Sequence, residues 1–280
     1  MVADVVVIIG IGGMGQAIAR RQGSGRTLLL ADFNQDSLDR LASALISEGH
    51  TVHSALVDVT SAKEVRELSR RAAELGRVVQ LVHTAGLSPA QASAEDVLRV
   101  DLLGVALVLD AFGAVIDAGG AGVVIASMAG HLFPTLTAEQ EQALAHTHVD
   151  ELLSLPQLSP EQVTDSALAY GLAKQANHSR VRAASVIWGR RGARINSISP
   201  GCISTPMGNL ELESPIGEGI RSMVAASAAG RFGTPEEIAA AAAFLLGPEA
   251  AFITGIDLLV DGGVVAMVRS AAPAAPAAAG

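Results

Sequence analysis

Between Asp4 and about Val260, short apolar runs alternate with longer amphipathic stretches. That alternation constrains the fold more than any other feature. A strand covered on both faces reads as a continuous apolar run, and a helix lying on a sheet reads as a helical periodicity, so the pattern predicts a parallel sheet with helices on both sides. The runs fall near Val5 to Ile9, Thr27 to Ala31, Thr51 to Val57, Val78 to His83, Gly122 to Ala126, Arg194 to Ser197 and Ile256 to Val260. Seven parallel strands fit one doubly wound α/β domain over residues 1–268, and half of the 280 residues are hydrophobic, enough for a sizeable core. Helix starts carry capping chemistry: Ser61-Ala62-Lys63-Glu64 and Thr234-Pro235-Glu236-Glu237 each set a hydroxyl three residues before a glutamate. No internal repeat is present, and the Ala/Pro-rich residues 269–280 predict a disordered tail.

The formal charge of −9 argues against a nucleic-acid surface. No apolar run approaches the roughly 18 residues needed to span a bilayer, and the N-terminus enters a strand with no charged leader or cleavage site. A cytoplasmic protein without nucleic-acid or membrane partners is expected. Cys202 is the only cysteine, which excludes an intrachain disulfide and a site of several thiolates. The seven histidines show no convincing ligand spacing; His146-Thr147-His148 reads as a solvated helix face, so no metal is expected.

Gly10-Ile11-Gly12-Gly13-Met14-Gly15 follows the first strand and opens a helix. In that setting glycines turn the chain tightly and admit a pyrophosphate to the backbone, while the helix N-terminus offers free N–H groups and a favourable dipole. The second strand ends at Asp32, where a carboxylate can accept hydrogen bonds from ribose hydroxyls and repel a 2'-phosphate. Phe33 follows, and no Lys or Arg stands in the glycine loop to neutralise that phosphate. NAD(H) is therefore expected rather than NADP(H).

Tyr170 and Lys174 stand four residues apart, one helical turn along a single face. A lysine cation beside a phenol favours the phenolate, so the expectation is a tyrosine with a lowered pKa, able to pass a proton near neutrality.

The glycine loop, the Asp32 strand end and this pair together resemble the short-chain dehydrogenase/reductase family, over roughly Val5 to Gly263. The resemblance implies a single-domain Rossmann fold and assigns further positions. Asp58 and Val59 match the adenine contact, and His83-Thr84-Ala85-Gly86 stands where the family usually has Asn-Asn-Ala-Gly. Ser127 falls on the catalytic serine. Asn196 to Thr205 is similar to the segment beneath the nicotinamide, with Pro200 and Gly201 at the cofactor and Ile203 and Thr205 holding the carboxamide. Asp261-Gly262-Gly263 matches the usual ending. By the same resemblance Ser127 holds the substrate oxygen, Tyr170 gives or takes the proton, and Lys174 tunes Tyr170 and binds the nicotinamide ribose, while hydride passes between nicotinamide and substrate carbon.

Four departures from the family pattern stand out. Ile8-Ile9 replaces the Thr-Gly that usually opens the loop, Asp101 aligns with the asparagine that serves as fourth catalytic residue, and His83-Thr84 replaces two asparagines. About forty residues separate Ser127 from Tyr170, where the family needs about a dozen. The extra segment, about 131–165, carries two helix-start signals, Thr137 to Gln140 and Ser159 to Gln162. It is expected to roof the cleft and to block pairing through the two long helices near Asp101 and Tyr170, leaving the final helix and strand to form a homo-oligomer, a dimer in preference to a tetramer. Substrate contacts are expected from Leu132, Phe133 and a lid over 206–230 that includes Met207. With no Arg or Lys cluster in those segments, the expected substrate is a neutral, apolar secondary alcohol or ketone, steroid-like and other bulky carbonyl compounds included. The same site would also serve an imine or an activated alkene, and a catalytically silent NAD-binding protein would share the glycine loop.

Overall fold

The run Val5 to Ile9 is buried along its whole length, as a strand covered on both faces must be. In the computed structural model, which describes residues 2–132 and 136–271, this run forms β1 (Asp4–Ile9). It is followed by α1 (Gly13–Gln22), β2 (Thr27–Asp32), α2 (Gln35–Ser47), β3 (Thr51–Leu56), α3 (Ala62–Leu75) and β4 (Arg77–His83). Next come α4 (Ala94–Val97), a π-helical stretch over Leu98–Gly104, α5 (Val105–Gly113) and β5 (Ile116–Ile125). The segment after β5 holds α6 (Ala129–Leu132), α7 (Ala138–His146) and α8 (Val149–Leu152) before the long α9 (Ser166–Gly189). The chain then runs through β6 (Arg194–Pro200), α10 (Pro206–Glu213), α11 (Gly217–Ala226), α12 (Pro235–Leu246), β7 (Asp257–Val260) and α13 (Val264–Ala271).

The seven strands form one sheet in the order β3-β2-β1-β4-β5-β6-β7, and all neighbours are parallel. Strand residues alternate between two cores. Val5, Val7 and Ile9 pack on the side of α3, α5 and α9, whereas Val6 and Ile8 pack on the side of α1, α2 and α12. Trp188, fully buried, pins the end of α9 to α5 by donating from Nε1 to the Leu109 carbonyl at 3.2 Å. The strand order reverses between β1 and β4, so a crevice opens beyond the carboxyl ends of these strands, where open α/β sheets bind ligands.

The capping signals act as expected at Ser61, Thr137 and Thr234, the last two as full capping boxes. Ser159 does not start a helix. It closes a single turn, because Asp165 caps α9 a few residues later and leaves too short a stretch for helix nucleation. Residues 269–271, assigned to the tail, are the last turn of α13. The rest of the tail lies outside the described residues.

The described residues of the extra segment over 131–165 do not line the cleft but pack on the helices beside it. Leu144, Leu152, Leu158 and Val163 pack against Val97, Leu98, Leu102 and Ala106 on one side and Ala169, Ala173 and Ala176 on the other, forming a third core over the face shared by α4, α5 and α9. The apolar residues of the segment are spaced to bury against this helical surface, and Arg180 fastens it by donating to the Thr147 carbonyl at 2.7 Å.

Candidate active site

The glycine loop turns from β1 into α1 at Gly10, whose φ of +87° favours glycine. A Cβ there would lie 2.3 Å from the Ala85 nitrogen, so glycine also permits the close approach of the segment after β4. At Gly15 a Cβ would sit 2.1 Å from the Gly10 carbonyl oxygen. Gly12 is different: a Cβ there would meet nothing within 4 Å, which marks the open side of the loop. Side chains cap α2, α3, α7, α9, α10 and α12, but none caps α1. Its first N–H groups face the opening without a side-chain partner or an acidic residue in the first turn, which suits an anion.

Asp32 ends β2 beside this loop. Its Oδ2 accepts from the Ile11 N–H at 2.9 Å and its Oδ1 from the Asn34 N–H at 3.0 Å, which fixes the carboxylate and leaves each oxygen a further lone pair. Phe33 is exposed. Asp58, just beyond β3, is exposed and accepts from the Thr60 N–H, while Val59 is buried against Gly104. Thr84 ties β4 to the loop by donating from Oγ1 to the Gly10 carbonyl at 2.6 Å. His83 is fully buried and its ring nitrogens have no hydrogen-bond partner; burial, reinforced by the Lys174 charge, pulls its pKa down to about 3. It therefore serves the core as a neutral ring.

Ser127 follows β5, with its Oγ accepting from the Ala129 N–H at 3.2 Å. Tyr170 and Lys174 share one face of α9, and the Lys174 Nζ lies 5.2 Å from the centre of the Tyr170 ring. Asp101 lies in the π-helical stretch, a local widening common at functional sites. Its carboxylate is fully buried. Oδ2 is 3.0 Å from Lys174 Nζ, and Oδ1 accepts from the Leu87 N–H at 2.7 Å. The Asp101 carbonyl in turn accepts from Asn177 Nδ2 at 2.9 Å. Asp101 is thus a direct ionic partner of Lys174.

This pairing corrects the expectation for Tyr170. Burial raises its pKa above the ordinary phenol value; the Lys174 charge and the Ser127 hydroxyl oppose that rise, but the Asp101 carboxylate reinforces it. At Lys174 burial pulls the pKa down, and the Asp101 carboxylate, the Tyr170 phenol and the hydrogen bond to Asp101 reverse this, so the ammonium is held as a cation. A lysine alone would favour the phenolate. A lysine paired with a carboxylate does so much less.

A cleft of about 240 Å³ opens over these groups. Its lining includes Met14, Ser127, Tyr170, Pro200, Gly201, Ile203, Thr205 and Met207. Thr205 also caps α10, its Oγ1 accepting from the Gly208 N–H, so its hydroxyl proton remains available. Met207 stands where substrate contacts were expected. Leu132, at the end of α6, is not among the described lining residues, and Phe133 lies outside the described residues.

Glu211 is a lining residue that the sequence patterns did not reveal, and it is the only charged side chain among the described lining residues. It accepts from Ser88 Oγ at 2.6 Å, which links α10 to the segment after β4. An acid on a short helix that buries none of its residues reads as solvated, and only the fold places it on the cleft. Arg221 is used structurally, donating to the Leu212 carbonyl.

Comparison with known proteins agrees with this geometry. A family model described as short chain dehydrogenase matches residues 4–138, and one described as enoyl-(acyl carrier protein) reductase matches residues 133–265. A short-chain dehydrogenase/reductase of Alternaria brassicicola is 42% identical over 267 residues, covering 95% of this chain and 97% of the relative. The D-threitol dehydrogenase of Mycolicibacterium smegmatis is 32% identical over 262 residues, covering 90% of this chain and 88% of the relative. A solved short-chain dehydrogenase/reductase from Serratia marcescens superposes with a TM-score of 0.73 at 24% identity, covering 94% of this chain and 98% of that one, a likeness of fold.

Proposed function

The chain belongs to the short-chain dehydrogenase/reductase family, and we propose that it is an NAD(H)-dependent oxidoreductase interconverting a neutral secondary alcohol and its ketone. The observation that carries this reading is the convergence of Ser127 and Tyr170 in one cleft with Met14 of the glycine loop and Ile203 and Thr205 of the segment after β6, with Lys174 one helical turn behind Tyr170. The uncapped N-terminus of α1 and the open side of Gly12 fit a pyrophosphate. Asp32, fixed on the loop backbone beside exposed Phe33, fits a ribose diol and disfavours a 2'-phosphate. If NAD(H) binds as the family resemblance implies, Asp58, Val59 and Thr84 to Gly86 would face its adenine and Ile203 and Thr205 its nicotinamide. When bound, the nicotinamide supplies the hydride donor or acceptor.

The residues of the chain do the rest. Ser127 donates to the substrate oxygen and orients it. Tyr170 carries the proton, giving it to the forming alcohol in reduction and taking it in oxidation. Lys174, held by Asp101, would contact the nicotinamide ribose and keep a positive charge near the oxygen on which negative charge develops. Asp101 positions Lys174 directly, in place of the water that an asparagine organises in relatives of the kind the sequence resembles.

An alkene-reducing activity has one supporting observation, the description of the family model matched by residues 133–265. The single-turn spacing of Tyr170 and Lys174 favours the alcohol reading. No helix among the described residues is long and apolar enough to cross a membrane. For assembly, part of the face of α4, α5 and α9 is covered by the chain's own α7 and α8, while exposed apolar side chains remain at Phe244, Phe252 and Ile256 around α12 and β7 and at Val186 and Ile187 on α9. A homodimer through α12 and β7 follows, and a monomer in sedimentation would contradict it.

The test is a screen of neutral secondary alcohols, small and bulky, with NAD⁺, run beside enoyl thioesters and cyclic imines with NADH. Oxidation of alcohols is the expected outcome. Turnover confined to enoyl or imine substrates would overturn the alcohol reading.

A further inference from the structure

Histidine spacing along the chain points to no ligand set, yet the fold brings three candidate ligands together beneath the site just described. His131 on α6, His178 on α9 and Asp257 at the start of β7 each offer one ligand atom, and these atoms lie within 4.8 Å of one another. His131 Nε2 is 2.7 Å from Asp257 Oδ2, and His178 Nε2 is 3.4 Å from Asp257 Oδ1. The side chains are mostly enclosed, with exposures of 22% for His131, 10% for His178 and 11% for Asp257. Glycine makes the approach possible. A Cβ at Gly130 would come within 2.9 Å of the Gln175 nitrogen and of His178 Cε1, so a larger residue would push α6, and His131 with it, away from α9.

We propose that His131, His178 and Asp257 bind one divalent cation of the zinc type. Two imidazoles and a carboxylate form a donor set that zinc takes at about 2.0–2.2 Å, with a fourth position left to water. Tetrahedral ligands at that radius stand roughly 3.3 Å apart. His178 Nε2 is already about that far from Asp257 Oδ1, and His131 Nε2 would have to part from Oδ2 by about half an ångström. These contacts use different carboxylate oxygens and the three ligand atoms spread over up to 4.8 Å, so the ion must also draw the two imidazoles in around a single oxygen. The outer hydrogen bonds suit the purpose: Asp257 Oδ1 accepts from Ser197 Oγ at 2.6 Å, and Ser199 Oγ lies 2.9 Å from His178 Nε2, where it can turn to a metal-bound water.

Neighbouring cations are engaged elsewhere. Arg269 donates to the main-chain oxygen of His131, Arg182 is held by Glu141 and Ser179, and Lys174 is paired with Asp101. The negative charge of Asp257 is left for the ion. The bound cation fastens α6, which begins two residues after Ser127, to α9, which carries Tyr170, Lys174 and His178 at helical spacing.

The test uses the full chain, stripped with a chelator and titrated with zinc chloride by calorimetry and thermal melting, with cobalt(II) absorption reporting coordination. Neither cofactor nor substrate is needed, so the outcome is independent of the proposed oxidoreductase activity. One zinc per chain is expected, raising Tm by roughly 5 °C or more at a hundredfold excess over Kd. The effect should survive in a His146→Ala, His148→Ala double variant and vanish in His131→Ala. Because removing His131 also removes its hydrogen bond to Asp257, His131→Gln is the second variant: it keeps a polar side chain there and should also lose zinc. No binding by the wild type, binding retained in both His131 variants, or binding abolished in the His146/His148 variant would overturn the proposal and leave the cluster a hydrogen-bonded brace.

Discussion

Replacing Tyr170 by Phe is expected to lower kcat by about 10²- to 10⁴-fold, the usual contribution of a positioned acid/base group, while NADH binds with unchanged affinity. The substitution keeps the ring that lies beside Lys174 and removes only the hydroxyl, so the shape of the cleft is preserved. Because burial and the Asp101 carboxylate hold the Tyr170 pKa above its ordinary value, the wild type should donate a proton to a ketone readily at neutral pH. Its oxidation of alcohols should rise as the pH rises toward that pKa. The alkaline rise should disappear in Tyr170→Phe. A variant that keeps kcat within tenfold of the wild type would remove Tyr170 from the chemistry.

Asp101 offers the second large effect. Its carboxylate and the Lys174 ammonium form a buried pair at 3.0 Å, and removing one member of such a pair strands the other. Asp101→Ala should therefore destabilise the fold by about 3–5 kcal/mol, read as a lower midpoint in urea with an unchanged m-value. Asp101→Asn should recover only part of that loss, since its single amide oxygen can accept from the Leu87 N–H or from Lys174 but not fill both carboxylate positions, and its NH2 then faces the other donor. Its effect on activity has a definite sign. Loss of the negative charge lowers the Tyr170 pKa, so the alkaline limb of the oxidation profile should move to lower pH. A limb that stays in place, or moves up, would show that Asp101 does not act on Tyr170 through its charge.

Much of this architecture is legible in the residues themselves. Most strands lie where the apolar runs place them, because a strand buried on both faces needs an uninterrupted run such as Val5 to Ile9; β5 begins earlier, at Ile116 rather than Gly122, and β6 runs on to Pro200. Gly10 is where the backbone requires a positive φ, and Asp32 is at the strand end beside the loop. Ser127, Tyr170 and Lys174 meet because the carboxyl end of β5 and the start of α9 share one edge of the sheet. What eluded the linear pattern depends on contacts between distant segments. Asp101, the ionic partner of Lys174, lies in a π-helical stretch, which spacing does not announce. The pKa of Tyr170 rises because burial and a second charge outweigh the lysine, and neither shows in a four-residue interval. The segment after Ser127 carries helical signals without revealing which face it covers; Leu144 and Leu152 bury against α4, α5 and α9 because that surface is itself apolar. Glu211 facing Ser88, and His131 facing Asp257, are likewise products of the fold.

The central claim, an NAD(H) site completed by Asp32, is tested most directly by a paired titration of the purified protein with NADH and NADPH, followed by nicotinamide fluorescence. The Asp32 carboxylate beside a 2'-phosphate sets like charges together, which should favour NADH by about tenfold or more, and Asp32→Ser should erase most of the difference. Equal or tighter binding of NADPH by the wild type would contradict the account.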